Sequence, residues 1–154
     1  MIKVLFVCHG NICRSPMAEF VLRDMVEKQG LAHRFEIASA ATSREEIGNP
    51  VHYGTRNKLQ QFGISTEGKF ARQMTVSDYR YYDYLLGMDQ QNMRNIQRIV
   101  KADPDGKIHR LLDFSDRPRD IADPWYTGNF DVTYEDIREG CEAFLAFVLR
   151  NESV

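Results

Sequence analysis

The sequence predicts an α/β fold: a doubly wound, four-stranded parallel sheet with helices on both faces. Short apolar runs alternate along the chain with segments whose apolar residues recur at helical spacing, which is typical of such a sheet. The first run, residues 4–8, is apolar throughout, as expected of a strand buried on both faces. A length of 154 residues suits one domain, and we expect a single domain over residues 1–154.

The first helix is expected directly after this strand. Ser15 is a favourable N-cap residue, and Pro16 suits the first helical position. Apolar residues then recur three and four positions apart over residues 18–26, as on a helix that packs against a core. Gly30 is placed to end the helix in a left-handed conformation.

Three further strands and three further helices are expected downstream. The strand candidates are residues 35–38, 82–88 and 108–112. The helices are expected to begin at Asn49-Pro50, with Gly63 as the closing residue, at Asp89 as an N-cap, and at Thr133, where Thr-x-x-Asp resembles a capping box.

Composition and charge argue against several classes of partner. The 20 Lys and Arg against 22 Asp and Glu leave a net charge of −2 with no basic stripe, which argues against nucleic-acid binding. No apolar run is long enough to cross a membrane, and no signal-peptide pattern follows Met1. Three cysteines are too few, and odd in number, for a disulfide framework. We therefore expect a cytoplasmic protein that binds neither nucleic acid nor a membrane.

A ligand is expected at the loop after the first strand, because open parallel sheets bind ligands beyond the carboxyl ends of their strands. This loop reads Cys8-His9-Gly10-Asn11-Ile12-Cys13-Arg14-Ser15 and leads into the N-terminus of a helix. The backbone N–H groups of such a loop can converge on one point, where the helix dipole adds positive charge. The sequence therefore predicts an anion site.

Cys8 and Arg14 are residues that can attack and bind a phosphate, which makes residues 8–15 a candidate phosphate-binding loop after the first strand. The positive surroundings favour the thiolate of Cys8, and the planar guanidinium of Arg14 can bind two phosphate oxygens. A thiolate held beneath a phosphate can attack phosphorus and form a phosphocysteine. The alternative is that Cys8 is a buried apolar residue and Arg14 a surface charge. The preceding strand and the following Ser-Pro favour the catalytic interpretation.

Asp123 is the candidate general acid and base, since one carboxylate can protonate a leaving oxygen and later activate water. It stands between two apolar residues and the segment Pro124-Trp125-Tyr126. This setting favours a loop folded over a pocket, with aromatic side chains that contact a substrate ring. An ordinary Asp-Pro turn beside core aromatics explains the same pattern equally well.

The segment from Val7 to Pro16, taken with Asp123-Pro124-Trp125-Tyr126, resembles the low-molecular-weight protein tyrosine phosphatases. The similarity extends over essentially the whole chain. It includes Ser39-Ala40-Ala41-Thr42-Ser43 with Gly48 and Pro50, Ala71-Arg72-Gln73, and Met88-Asp89-x-x-Asn92. The resemblance implies a phosphatase without metal or other cofactor. Its substrates would be phosphotyrosine-containing proteins or small aryl phosphates, and phosphate or vanadate would inhibit it at the loop.

The resemblance also implies roles at the matching positions. The catalytic roles are the nucleophile for Cys8, the phosphate clamp for Arg14, and the general acid and then base for Asp123. Asn11 would hold the loop in place through side-chain hydrogen bonds, and Ser15 would hydrogen-bond the Cys8 thiolate. Cys13 would be a redox partner that forms a reversible disulfide with Cys8.

The chain departs from the family pattern around the pocket. His9 stands where relatives more often have an apolar or small residue, and Arg44-Glu45-Glu46-Ile47 occupies a stretch where an aromatic residue is common. We expect Glu45 to line the pocket rim together with Trp125 and Tyr126. Some relatives also have a histidine just before Ala-Arg-Gln, where this chain has Lys69-Phe70.

Two other functions remain open from the sequence. An arsenate reductase on the same scaffold needs further thiols, and Cys13 is the only nearby candidate. A phosphocysteine carrier of the sugar-phosphotransfer type, or a phosphate-binding module, has no use for Arg14 and Asp123 as hydrolytic groups.

Overall fold

The computed structural model describes residues 1–152 and confirms the predicted α/β fold. Four parallel strands form one sheet in the order β2-β1-β3-β4. The strands are β1 Ile2–Cys8, β2 Phe35–Ala41, β3 Tyr84–Gly87 and β4 Ile108–Arg110. The helices are α1 Arg14–Lys28, α2 Tyr53–Gln60, α3 Val76–Tyr81, α4 Gln90–Val100, α5 Pro124–Thr127 and α6 Phe130–Asn151. Within residues 1–152, no helix combines the length and the apolar character that a membrane span requires.

The central strand β1 is buried because its two faces contribute to two separate cores. Phe6 packs in a core with side chains from α1 and α6. Its neighbour Leu5 points to the opposite face and packs with side chains from α3 and α4. Helices therefore cover both faces of the sheet, which explains why the first strand is apolar throughout.

The predicted N-cap at Ser15 is wrong. The loop after β1 passes directly into α1, which begins at Arg14 and follows Cys13. Ser15 therefore lies in the first turn of the helix, and its hydroxyl faces Cys8 instead of capping the backbone.

Two later helix starts also differ from those predicted. α2 begins after His52, whose ring nitrogen caps the helix, and not at Asn49-Pro50. α6 begins after Asn129, whose side chain is the N-cap, and not at Thr133. In both cases another polar side chain takes the capping position.

Other boundaries follow the prediction more closely. The N-cap at Asp89 and the left-handed conformation of Gly30 are confirmed. β3 is shorter than predicted, because Tyr82 ends the unpredicted helix α3. β4 ends at Arg110, because the next residues turn into a short 3-10 helix.

The sheet topology defines a crevice between β1 and β3. The chain passes from β1 to β2 on one side and places β3 and β4 on the other, so the order reverses between β1 and β3. Val7 pairs with Gly87 at the carboxyl ends of these strands. The loop after β1 therefore lies beside the start of α4, at the position where such sheets bind ligands.

Candidate active site

The loop that connects β1 to α1 directs backbone N–H groups towards the sulfur of Cys8. The N–H groups of Asn11 and Ser15 donate to Cys8 Sγ at 3.3 and 3.4 Å. The carbonyls of Cys8 and His9 are occupied elsewhere, because they accept from the N–H groups that follow β2. The loop thus presents donors to its centre, as an anion site requires.

Asn11 supports this loop from inside. Its backbone is left-handed, with φ of 60°, which is unfavourable for a residue other than glycine. The side chain holds that conformation: Nδ2 donates to Ser15 Oγ at 2.7 Å and to Ser39 Oγ at 2.9 Å, while Oδ1 accepts from the Arg72 N–H at 3.1 Å. Asn11 is 1% exposed, so these contacts replace water completely.

A buried ion pair continues the support behind Ser39. Ser39 Oγ donates to Glu19 at 2.5 Å, and the Glu19 carboxylate also pairs with Arg23 at 2.7 Å and with Lys69 at 3.2 Å. Burial lowers the pKa of Lys69, and the negative charge of Glu19 opposes this effect. Lys69 thus contributes to the support of the loop through Glu19 and the Ser39 carbonyl.

The Cys8 side chain is buried and sits within hydrogen-bond distance of a hydroxyl. Cys8 Sγ lies 3.1 Å from Ser15 Oγ. Ser15 Oγ already accepts a hydrogen bond from Asn11, which leaves its own proton available to the sulfur. A Cys8 thiolate would therefore have three donors, two from the backbone and one from Ser15.

The Cys13 thiol is much less acidic than an ordinary cysteine thiol. Burial raises its pKa to about 12, and the charges of Cys8 and Asp123 act in the same direction. Cys13 is therefore a neutral thiol at physiological pH. The third cysteine, Cys141, lies in the core on α6, and all three are free.

Arg14 is held by three groups from two distant parts of the chain. Its Nη1 donates to Asp89 at 2.6 Å and to the Ile121 carbonyl at 2.8 Å, and its Nη2 lies 3.4 Å from Asp123. Burial alone would lower the pKa of Arg14, but the negative charges of Cys8, Asp89 and Asp123 raise it above the ordinary value. The guanidinium is therefore charged and fixed in direction.

Asp89 is the residue that sequence reasoning missed at this site. One carboxylate oxygen accepts from the Asn92 N–H at 2.7 Å and caps α4, and the other binds Arg14. The sequence signal for it is an acidic residue at the carboxyl end of a strand, which predicts an N-cap and belongs to the motif Met88-Asp89-x-x-Asn92, but which by itself indicates no contact with Arg14.

Asp123 is the N-cap of the short helix α5. One carboxylate oxygen accepts from the Trp125 N–H at 3.0 Å, and the other is the one that faces Arg14. Ion pairing with Arg14 brings Asp123 to the loop that contains Cys8, across more than a hundred residues of chain. The three residues predicted as catalytic thus meet in one place.

A cavity of about 350 Å³ opens above the loop. Its walls combine loop residues with the acidic and aromatic side chains predicted for the rim. They are His9, Gly10, Ile12, Cys13, Glu45, Glu46, Asp123, Trp125 and Tyr126. Glu45 forms an ion pair with His9 when that ring is protonated, and Trp125 and Tyr126 are exposed at the mouth. Among residues 1–152, no group of three or more potential metal ligands is assembled.

Known proteins resemble this chain in sequence and in fold. The family model for low molecular weight phosphotyrosine protein phosphatase matches residues 3–154. The chain is 41% identical over its full length to the low molecular weight protein-tyrosine-phosphatase YfkJ of Bacillus subtilis, which is also covered completely. The crystal structure of YfkJ superimposes with a TM-score of 0.96, over 99% of this chain and 98% of that one.

A more distant solved structure includes a small ligand. Wzb from Vibrio vulnificus, in complex with benzylphosphonate, is 27% identical and has a TM-score of 0.83 over 95% of this chain and 98% of its own. With a family model over nearly all of the sequence and a full-length relative at 41% identity, the chain belongs to the low molecular weight protein tyrosine phosphatase family and is an enzyme of that class.

Proposed function

We propose that Cys8, Arg14 and Asp123 carry out the reaction of this phosphatase, with phosphotyrosine-containing proteins or small aryl phosphates as substrates. The observation that carries the proposal is the convergence of these side chains at one anion loop, with Arg14 only 3.4 Å from Asp123. The binding of benzylphosphonate by Wzb supports an aryl substrate, because that ligand joins a benzyl group to a phosphonate.

The reaction proceeds in two steps. The thiolate of Cys8 attacks phosphorus in line with the leaving oxygen, the P–O bond breaks, and protonated Asp123 donates its proton to that oxygen. Asp123, now a carboxylate, then takes a proton from water as the water attacks the phosphocysteine, which releases phosphate and the thiolate. Arg14 and the loop N–H groups bind the phosphoryl oxygens in both steps.

This scheme requires neither a metal nor another cofactor, since Arg14 and the backbone N–H groups provide the positive charge. The test is turnover of phenyl phosphate by the purified protein in the presence of EDTA. We expect equal amounts of phenol and phosphate over many turnovers, with competitive inhibition by phosphate and vanadate. Release of phenol in a single burst without phosphate would instead indicate a phosphocysteine carrier.

The cysteine positions support a phosphatase over an arsenate reductase. A reductase needs further thiols to resolve the adduct on Cys8. Cys141 is fully buried in the core on α6, which leaves Cys13 as the only second thiol beside the loop. We also propose that the enzyme works in the cytoplasm, a location supported by the presence of three free cysteines, which a reducing compartment maintains.

We predict that Cys13 makes oxidation reversible. Peroxide converts the Cys8 thiolate to a sulfenic acid, and the Cys13 thiol then displaces water to form a disulfide, which excess thiol reduces. The wild-type enzyme should therefore recover its activity with dithiothreitol after a peroxide pulse. Cys13→Ser should lose activity that dithiothreitol does not restore, because Cys8 proceeds to irreversible acids. Equal recovery of the wild type and Cys13→Ser would show that Cys13 only packs within the loop.

We predict that Glu45 weakens binding of aromatic substrates at the rim. An aromatic contact adds about 0.5–1.5 kcal/mol, so Glu45→Trp should raise kcat/KM for aryl phosphates by several-fold. Glu45→Gln should improve turnover of phosphopeptides with acidic flanking residues at low salt, because a repulsive charge is removed, and salt should reduce the gain. The same pair of changes at Glu46 is the matched comparison, since both residues line the cavity. No change at either position would contradict this role.

A further inference from the structure

We propose that His52 is a positioning residue that fastens the general-acid segment to the phosphate-binding loop. The proposal rests on the function proposed above and concerns how Asp123 reaches its working position. His52 touches no phosphate-binding group with its side chain. It acts through Trp125, which lies in α5 two residues after Asp123, and through Phe130, the first residue of α6.

The backbone of His52 is anchored to the phosphate-binding loop. The His52 N–H donates to the Ile12 carbonyl at 2.9 Å. One turn into α2, Thr55 Oγ1 donates to the Cys13 carbonyl at 3.0 Å. Two hydrogen bonds therefore join the start of α2 to the loop, and they keep the Ile12 and Cys13 carbonyls pointing away from the anion site.

The His52 ring is held in one orientation by the helix that it caps. Its Nδ1 accepts from the Gly54 N–H at 3.0 Å, which requires that this nitrogen carries no proton. Burial lowers the pKa of His52, an effect that the charge of Glu46 opposes, so the neutral ring is favoured near pH 7. The hydrogen bond to Gly54 and the stacking on Phe130 thus both hold the plane of the ring.

The oriented His52 ring contacts the chain after Asp123 at two residues, Trp125 and Phe130. It meets Trp125 edge to face, with ring centroids 5.7 Å apart and an angle of 71°. It stacks on Phe130 at 5.3 Å with an angle of 9°. Trp125 lies two residues after Asp123, and its N–H is the one that the Asp123 carboxylate caps. A shift of Trp125 therefore shifts the acid.

Gly54 makes room for this contact. A Cβ atom at residue 54 would lie 2.3 Å from a carbon of the Phe130 ring, far inside contact distance. The Phe130 ring therefore packs directly on the α2 backbone, beside the His52 ring. Any side chain at residue 54 would displace Phe130 without altering His52 itself.

The test compares two substitutions that separate the ring from the cap. Asparagine is a good N-cap without a ring, so His52→Asn keeps α2 but removes the contacts to Trp125 and Phe130. His52→Phe keeps a ring but removes the acceptor for Gly54. His33→Asn, at an exposed histidine remote from the site, is the control.

Two readouts report on the acid segment. The first is turnover of phenyl phosphate, which needs a protonated leaving group, against 4-nitrophenyl phosphate, which needs it much less. The second is the fluorescence of Trp125, which is the only tryptophan of the chain. For His52→Asn we expect kcat/KM for phenyl phosphate, which reports the step in which the leaving group departs, to fall roughly 10-fold, a fraction of the ~10²–10⁴-fold available from general acid catalysis. The loss on 4-nitrophenyl phosphate should be at most twofold, KM should be little changed, and acrylamide should quench Trp125 more strongly.

His52→Phe is expected to keep the wild-type ratio of the two rates and the wild-type quenching, with a lower melting temperature. Gly54→Ala serves as a second route if His52→Asn does not fold, because it moves Phe130 and should reproduce the same leaving-group pattern. Equal losses on both substrates, or unchanged Trp125 quenching in His52→Asn or Gly54→Ala, would overturn the role of His52. If the wild-type protein hydrolysed neither substrate, the proposed function would fail instead, and the fluorescence comparison would still decide the contact.

Discussion

Cys8→Ser is expected to abolish turnover, with a loss of ~10³-fold or more in kcat on 4-nitrophenyl phosphate. A serine hydroxyl at this position has no adjacent base to remove its proton, and it is a much weaker nucleophile than a thiolate. The loop N–H groups and Arg14 are unaffected, so the variant should still bind phosphate. Isothermal titration with phosphate measures this directly.

The control for this experiment is Cys141→Ser, the same chemical change at a fully buried site on α6. It should retain turnover, since Cys141 lies in the core on α6, where its sulfur is 3.9 Å from the Ala18 carbonyl of α1. More than a few per cent of wild-type turnover in Cys8→Ser would remove Cys8 from the role of nucleophile. Loss of phosphate binding would show that the loop depends on the sulfur for its conformation.

Asp123→Asn should lose about 10²–10⁴-fold in kcat/KM with phenyl phosphate, the usual range for general acid catalysis. The comparison uses kcat/KM because it reports the first step alone, whereas kcat also contains the second step, in which Asp123 acts as the base. An asparagine side chain still has an oxygen that can accept from the Trp125 N–H, so the N-cap of α5 is retained while the proton donor is lost. The loss should be much smaller with 4-nitrophenyl phosphate, whose leaving group departs without a proton. Steady-state kinetics on the two substrates give the comparison.

Asp120→Asn is the matched control for Asp123→Asn, because Asp120 is an exposed neighbour that pairs with Arg110 and not with Arg14. It should leave the ratio of the two rates unchanged. An equal loss on both substrates in Asp123→Asn would mean that another residue protonates the leaving oxygen.

The fold and the anion loop could be predicted because their signals are local. The spacing of apolar residues within a short segment indicates whether it forms a strand or a helix. The eight residues from Cys8 to Ser15 are by themselves enough to indicate an anion site. The error at Ser15 has the same origin: a serine before a proline looks the same whether it caps a helix or faces a sulfur. Only the path of the loop in the folded protein shows whether Ser15 caps the helix or faces the sulfur of Cys8.

The contacts that hold the site residues in place could not be predicted, because they depend on which segments the sheet brings together. Asp89 is visible as a cap from its own neighbours, but its contact with Arg14 follows from β3 lying next to β1. Likewise, nothing near His52 in the sequence indicates that Trp125 and Phe130 will contact its ring. Such contacts join residues far apart in the chain.

The anchoring of Arg14 has a consequence for the time at which the protein becomes active during its synthesis. The two groups that bind its Nη1 lie 75 and 107 residues further along the chain. A ribosome-bound fragment that has released only β1, α1 and β2 contains Cys8 and the whole anion loop, yet its arginine has no partner to orient it. We therefore expect phosphatase activity to begin only after the segment around Asp123 has emerged from the ribosome.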